Sequence, residues 1–173
     1  MCPAPRVAAN FSPVKNLRRQ ITAWTAAAAL QALSLVALGL TPAQDRLPAV
    51  KLTIGRALVN AEIADEDAER AKGLMGRNEL AEGEGMLFVF ASPQPMNFWM
   101  HDTVIPLSIA YINAQGVIRE IHDLKPMDET PVQSAVNDLM FALEVPQGWF
   151  ERNSILPGDR ILGLPSPNTA TGD

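Results

Sequence analysis

Between Gly85 and Leu107 the chain reads GMLFVFASPQPMNFWMHDTVIPL. The stretch is too apolar for a surface loop. It also carries Pro93, Pro95 and Pro106, each of which would cost about 3 kcal/mol inside a helix through a lost hydrogen bond and a ring clash. Strands and tight turns remain. Met86 to Phe90 is an unbroken apolar run, as in a short strand covered on both faces, and Phe98 to Met100 resumes it after a proline-bearing turn. The polar trio His101, Asp102 and Thr103 then stands between Met100 and Val104. Polar groups at the lip of an apolar strand mark the first place to look for a site.

The rest of the chain arranges itself around this stretch. Val50, Leu52 and Ile54 alternate with Lys51 and Thr53, Gly55 supplies a turn, and Val59, Ala61 and Ile63 share one face of the next strand, so the two form a hairpin. Asp65 is placed to cap a short helix whose acids, Glu66, Asp67 and Glu69, precede its bases, Arg70 and Lys72, in the order that suits the helix dipole. Gly73 ends it. A helix of about two turns is unstable alone, so Leu74 and Met75 are expected to pin it to the sheet.

Leu107 to Ile112 is apolar on both faces, as in a central strand. It turns at Asn113-Ala114-Gln115-Gly116 into Val117 to Leu124, a second hairpin. Residues 125–137 read as a polar, proline-bearing loop. Leu139 to Val145 is a further core strand, Trp149 to Asn153 a helical turn, and Arg160 to Leu164 a closing strand. Seven to eight short strands and two short helical segments predict a mainly β fold. A compact antiparallel β-barrel or sandwich fits them better than a parallel sheet with crossover helices. The single domain is expected over 49–164, after a linker at 44–48 and before a disordered tail at 165–173.

The first 43 residues have the parts of a secretory signal peptide. Lys15, Arg18 and Arg19 give a positive start, Ala23 to Leu40 is apolar, and Thr41-Pro42-Ala43 offers small residues for cleavage. The alternative is an uncleaved anchor to the inner membrane through residues 23–40, since 18 apolar residues reach the lower limit of the roughly 17–25 that span a bilayer. The expected location is periplasmic or secreted, with membrane contact only through an uncleaved leader. Cys2 is the one cysteine and leaves with the leader, which excludes disulfides, thiolate zinc sites and a cysteine nucleophile from the mature domain.

Those 43 residues hold four of the 14 basic residues and none of the 19 acidic ones, so the remainder stands at net −9 with no two bases adjacent. Nucleic-acid binding demands clustered Lys and Arg and is not expected. Internal repeats, a Gly-rich phosphate loop, Gly-x-Ser-x-Gly, His-Glu-x-x-His and calcium-loop spacing are all absent from the sequence. No cofactor is expected.

Several short motifs follow one another in a fixed order: Gly73-Leu74-Met75-Gly76-Arg77, Gly85-Met86-Leu87-Phe88-Val89-Phe90, Phe98-Trp99-Met100 with Thr103 and Ile105-Pro106-Leu107, Ala142-Leu143-Glu144-Val145-Pro146-Gln147-Gly148, and Pro157-Gly158-Asp159. On these the chain resembles, over roughly Val50 to Leu164, the family known as domain of unknown function one-nine-two, small bacterial and archaeal proteins that are often exported. The resemblance implies a compact β-barrel or sandwich with small helices, and no activity. Two departures stand out. The family's usual Met-Lys-Asn-Thr is replaced by Met100-His101-Asp102-Thr103, and its Pro-Leu-Asp by Pro106-Leu107-Ser108. A catalytic role for that lysine or aspartate does not carry over, and the two positions read as a charge pair lost together.

Six side chains and their neighbours carry the functional expectations. Glu144 lies inside the apolar strand Phe141 to Val145, where an unpaired carboxylate costs several kcal/mol, so Arg77 or a backbone donor is expected to satisfy it. The functional version has both groups lining a ligand pocket, with Arg77 gripping an anion in fork geometry. His101 and Thr103 share a strand face and could act as base and nucleophile, with Asp123 or Asp128 as a third member, whereas Asp102 would point away from His101.

Together with Arg77, His101 and Thr103 form the enzyme alternative. Met96, Met100 and His101 offer two thioethers and an imidazole to soft Cu(I), against the plainer role of methionine as core filler. Phe98, Trp99, Trp149 and Phe150 could wall an apolar cleft, with Trp149, next to a turn glycine, less committed to the core than Trp99. The candidate ligand-binding residues are Arg77, Trp99, Met100, His101, Thr103 and Glu144. The sequence thus reads as an exported binding or accessory module of the cell envelope, non-enzymatic, with a small ligand or an envelope protein as partner.

Overall fold

The computed structural model describes residues 46–166. The leader lies outside them, as does the tail from residue 167. Nine strands and two helices occur among the described residues: β1 (Ala49–Ile54), β2 (Ala57–Ala64), α1 (Asp67–Lys72), β3 (Glu84–Gln94), β4 (Asn97–Phe98), β5 (Leu107–Asn113), β6 (Ile118–Leu124), β7 (Val132–Gln133), β8 (Leu139–Pro146), α2 (Trp149–Arg152) and β9 (Ile161–Leu162). Seven of the strands form one sheet in the order β6-β5-β8-β3-β2-β1-β9, and β4 pairs with β7 in a separate ribbon. The mainly β architecture is the expected one.

The β1–β2 and β5–β6 hairpins form as the alternation predicts. Between β2 and β3 the chain crosses over through α1 and pairs in parallel, Asn60 opposite Glu84 through Ala64 opposite Phe88. This is a parallel step in an otherwise antiparallel sheet. The helix cap is Glu66 rather than Asp65, because the Glu69 carboxylate reaches back to accept the N–H groups of both Asp65 and Glu66 at 3.2 Å.

β3 outruns its apolar sequence and continues through Pro93, its ladder with β8 irregular between Val89 and Gln94. An exposed, bulged segment tolerates proline because no ladder donor is demanded there. The expected strand at Phe98 to Met100 shortens to β4, and the expected loop at 125–137 supplies its partner β7.

The two edges of the large sheet meet. β9 pairs with β1, Thr53 opposite Leu162, while Val117 bridges Arg160 and Ile161 donates its N–H to the Gly116 carbonyl at 2.8 Å. The sheet is therefore curled toward a barrel. Inside the curl lies one apolar cluster that includes Leu52, Leu87, Ile112, Phe141, Leu143, Trp149, Phe150 and Ile161. The opposite sheet face carries a second cluster that includes Leu74, Met86, Phe88, Met96, Met100, Ile109, Tyr111 and Ala142, and the segments around α1 and β4 lie over it.

Candidate functional site

The face that carries the second cluster has a row of neighbours, one from each of five adjacent strands: Glu62 on β2, Met86 on β3, Glu144 on β8, Ile109 on β5 and His122 on β6. The period-two rule sends all of them to one side. Two of the five are carboxyls on the buried part of the sheet, Glu62 and Glu144 each 5 % exposed, and their fates differ.

Glu62 receives Arg77. Arg77 Nη1 lies 2.6 Å from Oε1 and Nη2 2.5 Å from Oε2, and the Leu47 N–H adds a third donor at 2.9 Å. Burial pushes the Glu62 carboxyl up, but the Arg77 and Leu47 hydrogen bonds and the charges of Arg77 and Arg46 together outweigh it and hold the group below the ordinary carboxylate range. The expectation that Arg77 satisfies Glu144 is corrected here. The parallel register of β2 on β3 sets Glu62 in the same row, and the guanidinium is committed to it in bidentate form.

Glu144 has no hydrogen-bond or ion-pair partner for its carboxyl among the described residues. Burial pushes it up to about 8, which keeps it protonated at neutral pH. It lines a cavity of about 540 Å³. Residues of α1 and the Gly73–Met75 segment form one wall of that cavity, Phe88 and Phe90 another, and the chain from Gln94 to Trp99 a third, with Thr103 beside them. Gly73, at φ +47°, lets the chain pass Phe88 closely, since a Cβ there would stand 3.3 Å from the ring.

The walls are aromatic and mutually braced. Phe98 meets Phe88 edge-on at 4.9 Å and Tyr111 at 5.9 Å, and Ala142, between Phe88 and Tyr111 in the next row of the sheet, leaves the two rings room. The Tyr111 hydroxyl donates to the Val132 carbonyl at 2.5 Å, tying β5 to β7. Burial first, then the charges of Glu144 and Glu120, push that phenol far above its ordinary value. At the mouth Arg70 lies 5.3 Å over the Phe90 ring, donates to the carbonyls of Asp65 and Val89, and pairs with Asp67.

Of the six candidate residues, Trp99, Thr103 and Glu144 line this cavity, while Arg77, Met100 and His101 do not. Residues 101–103 are a turn rather than a strand end, with Asp102 at φ 48°. The turn brings His101 Nε2 to 3.4 Å from the Asp102 carboxylate, against the expectation that they diverge, and His101 Nδ1 to 2.8 Å from Glu129. The hydrogen bond to Glu129, then the Asp102 charge, raise the His101 imidazole above its ordinary value.

Thr103 Oγ1 donates to the His101 carbonyl at 3.0 Å and not to its ring. The pair therefore lacks the nucleophile-to-base hydrogen bond. Ser108 accepts the Gly148 N–H at 2.9 Å and donates to Asp123 at 2.5 Å, while His101 meets Asp102 and Glu129.

Met96 and Met100 are 3 % and 2 % exposed in the second cluster, whereas the His101 ring stacks on Trp99 at 5.5 Å on the outside. No group of three His, Cys, Asp or Glu able to hold a metal occurs among the described residues. The ranking of the tryptophans reverses: Trp149 is 2 % exposed inside the curl and packs edge-on against Phe150, while Trp99 is 51 % exposed at the cavity rim. Glu62, Arg70 and Phe88 are the site-forming residues that sequence reasoning missed. The signal for Phe88 was present, since it shares the period-two face of Met86 and Phe90.

The chain was compared with known proteins. Residues 50–163 match the profile of DUF192, described as an uncharacterized ACR. No curated protein matches significantly. A crystal structure of a candidate transcription regulator from Sinorhizobium meliloti 1021 is similar at 31% identity with a TM-score of 0.66, covering 69% of this chain and 97% of that one. A crystal structure of a protein of unknown function from Novosphingobium aromaticivorans DSM 12444 is similar at 38% identity with a TM-score of 0.65, covering 69% of this chain and 88% of that one. With the profile spanning every strand that frames the Glu144 cavity, and both structures sharing the fold at better than 30% identity, this protein belongs to the DUF192 family.

Proposed function

We propose that this domain is a small-ligand binding module of the cell envelope and that its ligand sits over Glu144. One observation carries the reading: a buried carboxyl without a partner lines an aromatic-walled cavity of about 540 Å³. The carboxyl faces the cavity with no protein group among the described residues to satisfy it, so it is available to bond whatever enters. The cavity also lies in the size range of small-molecule sites. Placement in the envelope rests on the leader, whose charged start and apolar run fit export.

Catalysis through Arg77, His101 and Thr103 draws no support from the geometry, since the three side chains have separate partners. The candidate regulator role of the Sinorhizobium meliloti relative is not extended to this chain. Five of its arginines, Arg46, Arg70, Arg77, Arg119 and Arg152, are paired with carboxylates, and the sequence after the leader is strongly acidic, a poor footing for phosphates.

Native mass spectrometry of the protein isolated from its own host's periplasmic fraction tests both halves of the proposal. A processed chain carrying a stoichiometric organic mass, lost on Glu144→Leu, is the expected result. Recovery only from the cytoplasm overturns the envelope assignment, and an added mass that survives Glu144→Leu moves the ligand elsewhere.

A further inference from the structure

The cavity's chemistry narrows the class of ligand. An anion finds little there: the Arg70 guanidinium is already committed to two carbonyls and Asp67, which leaves Lys72 at the rim, and the deep end holds an acid rather than a base. A polyol would need donors and acceptors converging from several sides, yet the Thr103 hydroxyl already donates to the His101 carbonyl, the two amides, Gln94 and Asn97, lie on one wall, and the other uncharged side chains are rings, thioethers and aliphatic groups. A cation finds what it needs. Aromatic faces attract positive charge, as Arg70 over Phe90 already demonstrates at this mouth, and a carboxyl with no other partner is its natural counter-ion.

We propose, building on the binding reading above, that the cavity receives a small organic cation, an alkylammonium head on the Glu144 carboxyl with its apolar part against Phe88, Phe90 and Phe98. The step balances simply. The neutral acid gives its proton to solvent and the ammonium takes that proton's place at the carboxylate, so each binding event releases one proton. The other titratable and charged groups facing Glu144 are Tyr111 on β5, the closed Glu62–Arg77 pair beyond Met86, Glu120 and His122 on β6, and Asp67, Arg70 and Lys72 at the mouth. Of these, Tyr111 stays neutral and the Glu62–Arg77 pair stays ionised as the acid exchanges its proton.

The test uses n-butylammonium, n-butanol and butyrate as matched probes of cationic, neutral and anionic character. They are titrated into the protein isolated from its host after growth on methyl-labelled methionine, once unfolding, dialysis and refolding have removed any retained organic mass. Met75 and Met96 line the cavity and report occupancy through their methyl resonances. Butylammonium is expected to move both signals and to release a proton, with affinity rising about tenfold per pH unit below about 8.

Glu144→Gln should fold, since it keeps the shape of the neutral acid, and should lose the proton release, the pH slope and about tenfold or more in affinity. Trp99→Ala, at the exposed rim, is a second folded variant expected to weaken binding several-fold. Butanol or butyrate moving the same methyls more strongly, or butylammonium binding without a pH slope, overturns the cationic class and leaves the cavity as a site. None of the probes moving them overturns both.

Discussion

Arg77 and Glu62 close on each other through two parallel hydrogen bonds of 2.6 and 2.5 Å, with both side chains withdrawn from solvent. The arginine follows the turn after α1 and the glutamate lies on β2, so the pair fastens the crossover segment to the sheet beneath it. The Leu47 N–H, also donated to Glu62, fastens the start of the domain at the same point.

Breaking this pair from one side leaves a buried charge uncompensated. Arg77→Ala is expected to lower stability by about 3–5 kcal/mol in urea unfolding, whereas the double change Glu62→Gln with Arg77→Met should cost clearly less. Because the Glu62 carboxyl is held below its usual range, its stabilisation is full above the unfolded value of about 4.5 and fades as pH falls through the lower folded value. An acid unfolding curve as steep in the double variant as in the parent would sink this account.

Glu144 predicts the opposite slope. Its folded value is raised to about 8, so between about 4.5 and 8 the folded chain holds a proton that the unfolded chain has released. Stability therefore falls as pH rises through that window and levels off above it. Glu144→Gln removes the slope. Parent and variant should be close near pH 5, and at pH 9 the variant should be more stable by a few kcal/mol, read from urea midpoints at each pH.

Gly85 is expected to be intolerant of a methyl group. A Cβ there would stand 2.6 Å from the Glu144 carbonyl oxygen and 3.2 and 3.3 Å from Val145 and Val59, so β3 would have to move away from β8. Gly85→Ala should cost about 2–3 kcal/mol in thermal unfolding. Gly55 is a useful contrast, because nothing lies within 4 Å of its Cβ position and only its φ of +60° resists substitution. Gly55→Ala should cost about 1 kcal/mol.

At the rim, Glu129 is the main reason the His101 imidazole is raised. Glu129→Gln should bring it back toward the ordinary histidine value, with the Asp102 charge sustaining a smaller rise. The chain has two histidines, so a titration followed by NMR resolves them, and an unmoved His101 curve would show that the 2.8 Å contact with Glu129 is not made in solution.

The architecture was largely legible because the longer strands announce themselves, some by alternation and some as unbroken apolar runs. β1, β2 and β6 fall where the period-two pattern puts them, β5 and β8 where apolar runs covered on both faces do, and the helix boundary moves by one residue as Glu69 reaches back to two N–H groups instead of one. The site was half legible. Glu144 stood out as a carboxyl in an apolar run, but its lack of a partner depends on a parallel register that no local pattern encodes. Val59, Ala61 and Ile63 marked one face of β2 as inward, which left Glu62 on the face read as solvent. That face is buried by residues from Leu47 and from Leu74 to Arg77, far away in sequence.

Trp99 and Trp149 were misjudged for a related reason: a residue beside a turn glycine can still point inward, as Trp149 does, and one in an apolar run can stand at a rim. The short strand β7 left no signal because two residues are too few for a period, and β4 was read one residue late and too long for the same reason.

The seam at which the sheet meets itself has a consequence for how the chain is made. Thr53 finds its partner Leu162 only after almost everything between them has been synthesised, so closure must be among the last events as the chain emerges from its amino-terminal end. Until then the outer side of β1 and the residues around Gly116 are raw edges, able to pair with any strand that offers itself. Thus the two-residue strand β9, made after every other strand, is what completes the seam.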